Sequence, residues 1–228
     1  MHSKDSQSRV YLEKMTRPIA YEIKDWGNFE DPRLSGYNYG NLSNFEINFW
    51  YNSICSPRKK YFAVKRLEDD RLIGFLGLKN YNPLTKRSLL GIVFDANYVS
   101  KGYGYDAMLV LLDYYFNDLK FKEMLLEVNL FNERALNLYR KLGFKERGQD
   151  LELFENQDIE FDDRYFEKTG NLIYSKILKM KLTKDDYYEI HNWKFKSWFG
   201  NDALWKYVFK YVCRQGRWWK SKVLSFGL

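Results

Sequence analysis

The sequence predicts an α/β domain of the α+β kind, built on one mixed, mostly antiparallel sheet of about seven strands flanked by helices. Three observations predict it. Residues 60–66, 71–80 and 88–95 are β-rich segments separated by turn chemistry at Asp69-Asp70 and Asn82-Pro83, which reads as an antiparallel meander. Residues 88–129 then run strand, glycine turn, amphipathic helix and strand, so only the strands flanking that helix need be parallel. Residues 144–154 and 172–182 form the arms of a final long hairpin, joined by an acidic, poorly patterned stretch at residues 155–163.

Residues 18–26 alternate well enough to be a first strand, and Asp31-Pro32 with Gly36 and Gly40 marks a loop. Ser43 is placed to N-cap a helix, with Glu46 three residues later for a capping box and Ile47, Trp50, Tyr51 and Ile54 as the apolar face. Pro57 follows the end of that helix. Beyond the meander, Ala107, Met108, Val110, Leu111 and Leu112 fall in helical register within residues 102–117, and residues 122–129 form a strand. Residues 132–142 make a short helix closed by Gly143 as its C′ glycine.

Composition narrows the chemistry. A chain of 228 residues holds one domain with a sizeable core plus an appendage. Its 45% apolar and 29% charged residues are ordinary for a globular protein, whereas 19% aromatic is high. The first fifteen residues lack the apolar core of a secretory signal, and no later run approaches the ~20 apolar residues of a membrane span, so a cytoplasmic location is expected. Cys55 and Cys213 stand alone without a CxxC partner, which leaves no disulfide framework and no zinc site, and no metal is expected. With His2 and His191 the only histidines, a Ser-His-Asp or Cys-His catalytic group is disfavoured. Residues 1–190 carry 29 basic and 29 acidic side chains, while residues 191–228 carry 8 basic and 1 acidic. The expected division is a domain over residues 1–190 and a basic, Trp-rich extension over residues 191–228.

The segment from Ser88 to Met108 is a strand, a turn holding Gly102 and Gly104, and an amphipathic helix. Such a turn presents backbone N–H groups at the positive end of a helix dipole, and glycine lets backbone approach phosphate closely. It lacks the GK[ST] of a Walker loop and the third glycine of a dinucleotide fingerprint, so a different phosphate-containing cofactor is indicated, against the plain alternative of an ordinary strand-to-helix turn. The second informative segment runs from Asn129 to Phe144, where Ala135 and Tyr139 share one helix face and Asn132 stands at the helix entrance. Structural roles are available for each: Asn132 as an N-cap, Tyr139 as a half-buried aromatic, Gly143-Phe144 as a cap and its apolar contact.

Together, Gly102-Tyr103-Gly104 and the later Asn132-x-x-Ala135-x-x-x-Tyr139-x-x-x-Gly143-Phe144 resemble the signature of the GNAT acetyltransferase superfamily, and the resemblance covers residues 18–182. Its general style is similar to the branch that acetylates ribosomal-protein N-termini and polyamines. The resemblance implies a GNAT-like fold and an acyl-CoA-dependent N-acetyltransferase. Such an enzyme moves an acetyl group from acetyl-CoA to a primary amine, whether a protein N-terminus, a polyamine or another small amine, by direct transfer in a ternary complex. By the same resemblance the pantetheine arm pairs with Ile92, Val93 and Phe94, and the pyrophosphate meets the loop of Val99, Ser100, Lys101, Gly102, Tyr103, Gly104 and Tyr105. Asn132 contacts the pantetheine region, and Tyr139 stands near the thioester sulfur as general acid.

The pattern is broken in places. Val99 stands where the family usually has Gln or Arg to shape the loop, with Lys101 a candidate to compensate electrostatically. Tyr105 stands where a small hydroxyl residue is common, and Ser88-Leu89-Leu90 carries no base. Glu127 on the neighbouring strand is the remaining candidate base, although period-2 alternation equally turns it to solvent. Tyr37, Tyr39, Phe49, Trp50 and Tyr51 are candidates for one wall of the acceptor site.

Two rival readings remain: a CoA-binding module of the same fold without transfer, kept open by Val99 and Leu89, and an RNA or anionic-membrane binder acting through the extension. For that extension the alternatives also include packing across the domain or against a homodimer mate, and an altered terminus.

Overall fold

The computed structural model describes the backbone of residues 8–198 and the side chains of residues 8–191. Its strands are β1 (Val10–Lys14), β2 (Lys60–Arg66), β3 (Leu72–Asn82), β4 (Arg87–Phe94), β5 (Glu123–Asn129), β6 (Lys145–Leu153), β7 (Phe166–Thr169) and β8 (Leu172–Thr183). The helices are α1 (Arg17–Tyr21), α2 (Asn44–Ile54), α3 (Tyr103–Asp113), α4 (Glu133–Lys141) and α5 (Lys184–Trp198). One sheet runs in the order β1-β2-β3-β4-β5-β8-β6, with β7 pairing β8 beyond the end of β5. Only β4 and β5 are parallel, and α3 is the crossover between them. The expected mixed, mostly antiparallel sheet is therefore present, as eight strands.

The first strand is not at residues 18–26. Pro18 sits in the first turn of α1, where its fixed φ suits a helix, and Ala20 and Ile23 are buried at helical spacing. The strand precedes it: Val10, Tyr11 and Leu12 are all buried, so both faces of β1 are covered and no alternation marks it. The loop expected around Asp31-Pro32 is a 3-10 turn over Pro32–Tyr37, capped by the Asp31 side chain accepting from the Arg33 N–H at 2.9 Å. The Ser43–Glu46 capping box is formed in full at the start of α2.

Two apolar layers hold the sheet. On one face Phe62, Leu76, Leu90, Met124 and Leu126 pack with Met108, Leu111 and Leu112 of α3 and Leu136 of α4. On the other, Ala63, Leu72 and Phe75 pack with Ala20, Ile23, Trp26 and Ile47. Each fully buried Leu, Ile or Phe contributes about 1.5–3 kcal/mol, so α3, buried from Asp106 to Asp113, is fixed in place chiefly by packing. A π-helical turn at Tyr114–Asp118 then carries Tyr115 inward, where its hydroxyl donates to the Glu123 carbonyl at 2.6 Å and accepts from Ser88 Oγ at 3.1 Å. That contact ties the end of α3 to the starts of β4 and β5.

The parallel pairing is short. β4 and β5 are in register from Arg87↔Glu123 to Leu90↔Leu126 and then separate. Each stays paired on its outer side, β4 with β3 as far as Phe94 and β5 with β8 as far as Asn129↔Ile177. The sheet thus opens into a V at its centre, and the functional residues gather there.

Among the described residues no helix is long and apolar enough to cross a membrane. The expected extension at residues 191–228 lies outside the described residues apart from the end of α5, and so do its proposed nucleic-acid or membrane contacts. At the start of that stretch His191 is buried, with Nε2 3.2 Å from the Leu142 carbonyl oxygen.

Candidate active site

A cleft of about 600 Å³ fills the V, lined by the open edges of β4 and β5, the loop into α3, and one face of α4. Ile92, Val93 and Phe94 form its β4 wall, and Val99, Ser100, Gly102, Gly104 and Tyr105 its floor near α3. Gly102 adopts φ +85°, a left-handed value that a side chain resists, and it caps α3 without offering a side chain to the free N–H groups. The Tyr105 and Asp106 N–H groups both donate to the Gly102 carbonyl, at 3.1 and 3.2 Å. Among the described residues nothing accepts from the N–H groups of Gly102, Tyr103 or Gly104. Donors of this kind at the positive end of a helix suit an anionic group.

Not every loop side chain faces this cleft. Lys101 turns away, its Nζ donating to the Asn97 carbonyl at 2.7 Å and lying 5.3 Å over the Tyr98 ring. It therefore does not supply the cleft with the compensating charge expected of it. Tyr103 packs outward against Tyr98, with ring centroids 6.0 Å apart. Tyr105 does line the cleft, and Lys141 Nζ sits 4.4 Å above its ring.

The α4 wall follows from local sequence. Asn132 Oδ1 accepts from the Ala135 N–H at 3.2 Å, so Asn132 is an N-cap and also lines the cleft. Ala135, Leu138 and Tyr139 follow on the same face. Gly143, at φ +94°, ends the helix, and a Cβ there would stand 2.3 Å from Ile190 Cδ1, so α5 packs directly against this turn. The Phe144 N–H returns to the Tyr139 carbonyl at 3.0 Å, and their rings meet at a tilt with centroids 5.7 Å apart. These contacts immobilise Tyr139, which is only 4% exposed. Burial pushes its phenol well above the usual tyrosine value, with Tyr37 adding to the rise, so it stays protonated through neutral pH.

The opposite side of the V has its own chemistry. Met124, Leu126 and Val128 of β5 belong to the α3 layer, so the alternating residues Glu127 and Asn129 face the other way. Glu127 is exposed, as alternation allowed, yet it borders the cleft opposite Lys179 of β8. Asn129 Oδ1 is buried and, among the described residues, accepts no hydrogen bond. Tyr37 joins the two sides: burial raises its phenol, Glu155 and Glu152 add to the rise, and the Asn129 amide and Arg134 oppose it. Tyr39, Trp50, Tyr61 and Phe75 complete an aromatic wall, with Trp50 and Phe75 centroids 5.0 Å apart. Burial holds the Tyr39 phenol up at about 12.

Of the five aromatic residues expected on that wall, Tyr37, Tyr39 and Trp50 line the cleft. Phe49 is 70% exposed and borders a separate shallow groove, and Tyr51 lies under Arg17 at 5.0 Å. Sequence reasoning passed over Asn129, Arg134 and Glu152. Period-2 spacing from Glu127 was the available signal for Asn129; Glu152 lies on β6, which joins the sheet through β8, a pairing that no local pattern encodes.

The chain is similar to several known proteins. Residues 9–145 match the family model described as the acetyltransferase (GNAT) domain. Over 86 residues the chain is 31% identical to a spermidine N(1)-acetyltransferase of Escherichia coli K12, a stretch covering 38% of this chain and 46% of that relative. The aligned region thus spans about half of the curated relative's length. The fold also matches a Vibrio cholerae spermidine N-acetyltransferase solved in complex with CoA and spermine, at 23% identity and TM-score 0.62, covering 79% of this chain and 99% of that one. A dodecameric structure of a Vibrio cholerae spermidine N-acetyltransferase matches at 21% identity and TM-score 0.58, covering 79% and 97%. With more than half of its length matched to the domain model, the chain belongs to the GNAT acetyltransferase family.

Proposed function

We propose that the chain transfers an acetyl group from acetyl-CoA to a primary amine of a small, multiply charged amine by direct attack in a ternary complex. The observation that carries this reading is the V itself. A protonated phenol, Tyr139, lines one cleft together with free N–H donors on one side and carboxylates and tyrosines on the other. In the proposed assignment Ile92, Val93 and Phe94 hold the pantetheine arm by their open strand edge, the free N–H groups from Gly102 to Gly104 hold the pyrophosphate, and the amide of Asn132 meets the pantetheine. Acetyl-CoA supplies an activated acyl carbon and a thiolate leaving group. Tyr139 gives its hydroxyl proton to the departing sulfur, and the attacking nitrogen releases its proton to water or to Glu127.

The acceptor class rests on charge. Glu127 and Glu152 border the cleft on the side away from α3, beside tyrosines whose faces attract ammonium groups. Lys79 crosses the β4 side, where its Cε lies 3.1 Å from the place a Gly91 Cβ would take, and it steers a cationic chain toward β5 and β6. A polyamine such as spermidine, the substrate named for the Escherichia coli relative, suits that distribution.

The test is calorimetric titration with acetyl-CoA and CoA, followed by an acetyl-transfer assay with spermidine, spermine, a simple monoamine and a peptide N-terminus. Micromolar acetyl-CoA binding with fastest turnover on a polyamine supports the reading. Absence of acetyl-CoA binding by the folded chain overturns it, and binding without transfer to any amine leaves a CoA-binding module instead.

A further inference from the structure

We propose that Arg9 is the positioning residue of the phosphate loop, fixing the Lys101–Gly102 peptide so that the Gly102 N–H faces the cleft. The proposal rests on the reading that this loop takes the pyrophosphate of an acyl-CoA.

Arg9 lies just before β1, more than ninety residues from the loop, and its guanidinium reaches across to it in four contacts. Nε is 2.7 Å from Asp106 Oδ2, and Nη1 donates to the Lys101 carbonyl at 3.1 Å. Nη2 lies 2.7 Å from where a Gly102 Cβ would stand, and the guanidinium carbon sits 4.7 Å above the Tyr103 ring. Gly102 lines the cleft and Arg9 does not, so the guanidinium grips the loop from behind.

Peptide geometry turns that grip into orientation. Across a planar trans peptide the carbonyl and the N–H point in opposite directions. With the Lys101 carbonyl held outward by Nη1, the Gly102 N–H is directed to the inner side, toward the cleft. A flexible glycine loop would otherwise sample both orientations, because Gly102 has no Cβ to restrict it.

Charge supplies a second reason. Asp106 is in the first turn of α3 and its side chain is only 10% exposed. A bare carboxylate there would repel an anion at the helix N-terminus. The Arg9 ion pair neutralises it, and its fork geometry lets one guanidinium hold the carboxylate and the carbonyl at once. Lysine, whose three donors share one nitrogen, lacks the fork that makes the two contacts from separate nitrogens.

The experiment compares wild type with Arg9→Ala and Arg9→Lys, using two donors: acetyl-CoA and acetyl-pantetheine, which lacks the phosphates. Expected is a tenfold or larger rise in Kd and KM for acetyl-CoA in Arg9→Ala, a smaller rise in Arg9→Lys, and kcat/KM for acetyl-pantetheine unchanged in both. Equal loss with both donors, or no change with acetyl-CoA, overturns the proposal. Arg9→Lys keeps a cation beside Asp106 and so remains informative where Arg9→Ala folds poorly. Wild type is measured first: if it binds no acetyl-CoA, the acyl-CoA reading itself falls, an outcome distinct from a variant that behaves like wild type.

Discussion

Leu90 and Leu126 face each other as the last parallel pair of β4 and β5, and two residues further along Ile92 and Val128 both line open space. Strands that part while still paired on their outer sides leave N–H and C=O groups of their inner edges without a partner strand, an edge inside the protein rather than at its rim. An extended molecule carrying amides is the natural complement to such an edge, which is why the pantetheine arm is assigned to β4.

Gly102 and Gly104 differ in what they tolerate. A Cβ at Gly102 meets Arg9 at 2.7 Å in a left-handed backbone, while one at Gly104 meets only Leu138 at 3.4 Å and Phe94 at 3.7 Å, ordinary contacts. Forcing a side chain into the left-handed region costs about 1–2 kcal/mol, roughly a tenfold effect. Gly102→Ala is therefore expected to weaken acetyl-CoA binding at least tenfold, and Gly104→Ala several-fold at most. Calorimetric titration of both variants checks the order, and a reversed order would place the phosphates elsewhere.

Tyr139→Phe separates acid from packing. The ring, held by Phe144 and buried in the α3 layer, survives the substitution, and only the protonated hydroxyl is lost. A positioned general acid is worth about 10²–10⁴ in rate, so kcat is expected to fall at least a hundredfold with acetyl-CoA Kd within twofold of wild type. Because burial keeps the phenol's pKa high, the wild-type rate profile shows no loss of this acid below about pH 10. A parallel fall in melting temperature and rise in Kd would instead mark Tyr139 as a packing residue.

Glu127→Gln tests the acceptor side. The carboxylate is exposed and makes no ion pair within 4 Å among the described residues, so folding does not depend on it. With spermidine, kcat/KM is expected to fall about tenfold, with acetyl-CoA Kd unchanged; a neutral or singly charged amine loses less. Equal loss across all amines would show that Glu127 serves as the base and not as an electrostatic guide.

What was readable in the sequence was local. The Ser43–Glu46 box, the Gly102-Tyr103-Gly104 turn and the Asn132 to Phe144 helix are each local in the chain, and each formed as expected because neighbouring side chains and backbone determine it. The contacts that passed unseen join distant segments: Arg9 to Asp106, Tyr37 to the Asn129 and Tyr139 region, and Glu152 to the cleft. No periodicity encodes such pairs. β1 escaped for a related reason, since a strand buried on both faces has no alternation, and the helical spacing of Ala20 and Ile23 imitated one over a short window.

Asp113, at the end of α3, offers a test of the core by pH alone. Burial raises its carboxyl from 3.8 to about 6, with Asp118 adding to the rise and the Asn117 amide, donating at 2.5 Å, opposing it. The groups facing it from α5 are the phenols of Tyr187 and Tyr188, which carry no charge in this range. Between pH 3.8 and about 6 the folded chain holds a proton that the unfolded chain has released, so stability falls as pH rises through this window. The favourable contribution is complete below the unfolded value and lost above the folded one. At pH 7 the ionised carboxylate costs on the order of 2 kcal/mol, from ~1.4 kcal/mol per pKa unit with allowance for partial solvent access. Asp113→Asn keeps the acceptor for Asn117 and removes the charge. It is expected to stabilise the chain by about 1–2 kcal/mol at pH 7 and to match wild type near pH 4. Urea unfolding of both proteins at steps from pH 4 to 7 reads this directly, and an offset independent of pH would mean that Asp113 does not change its charge there.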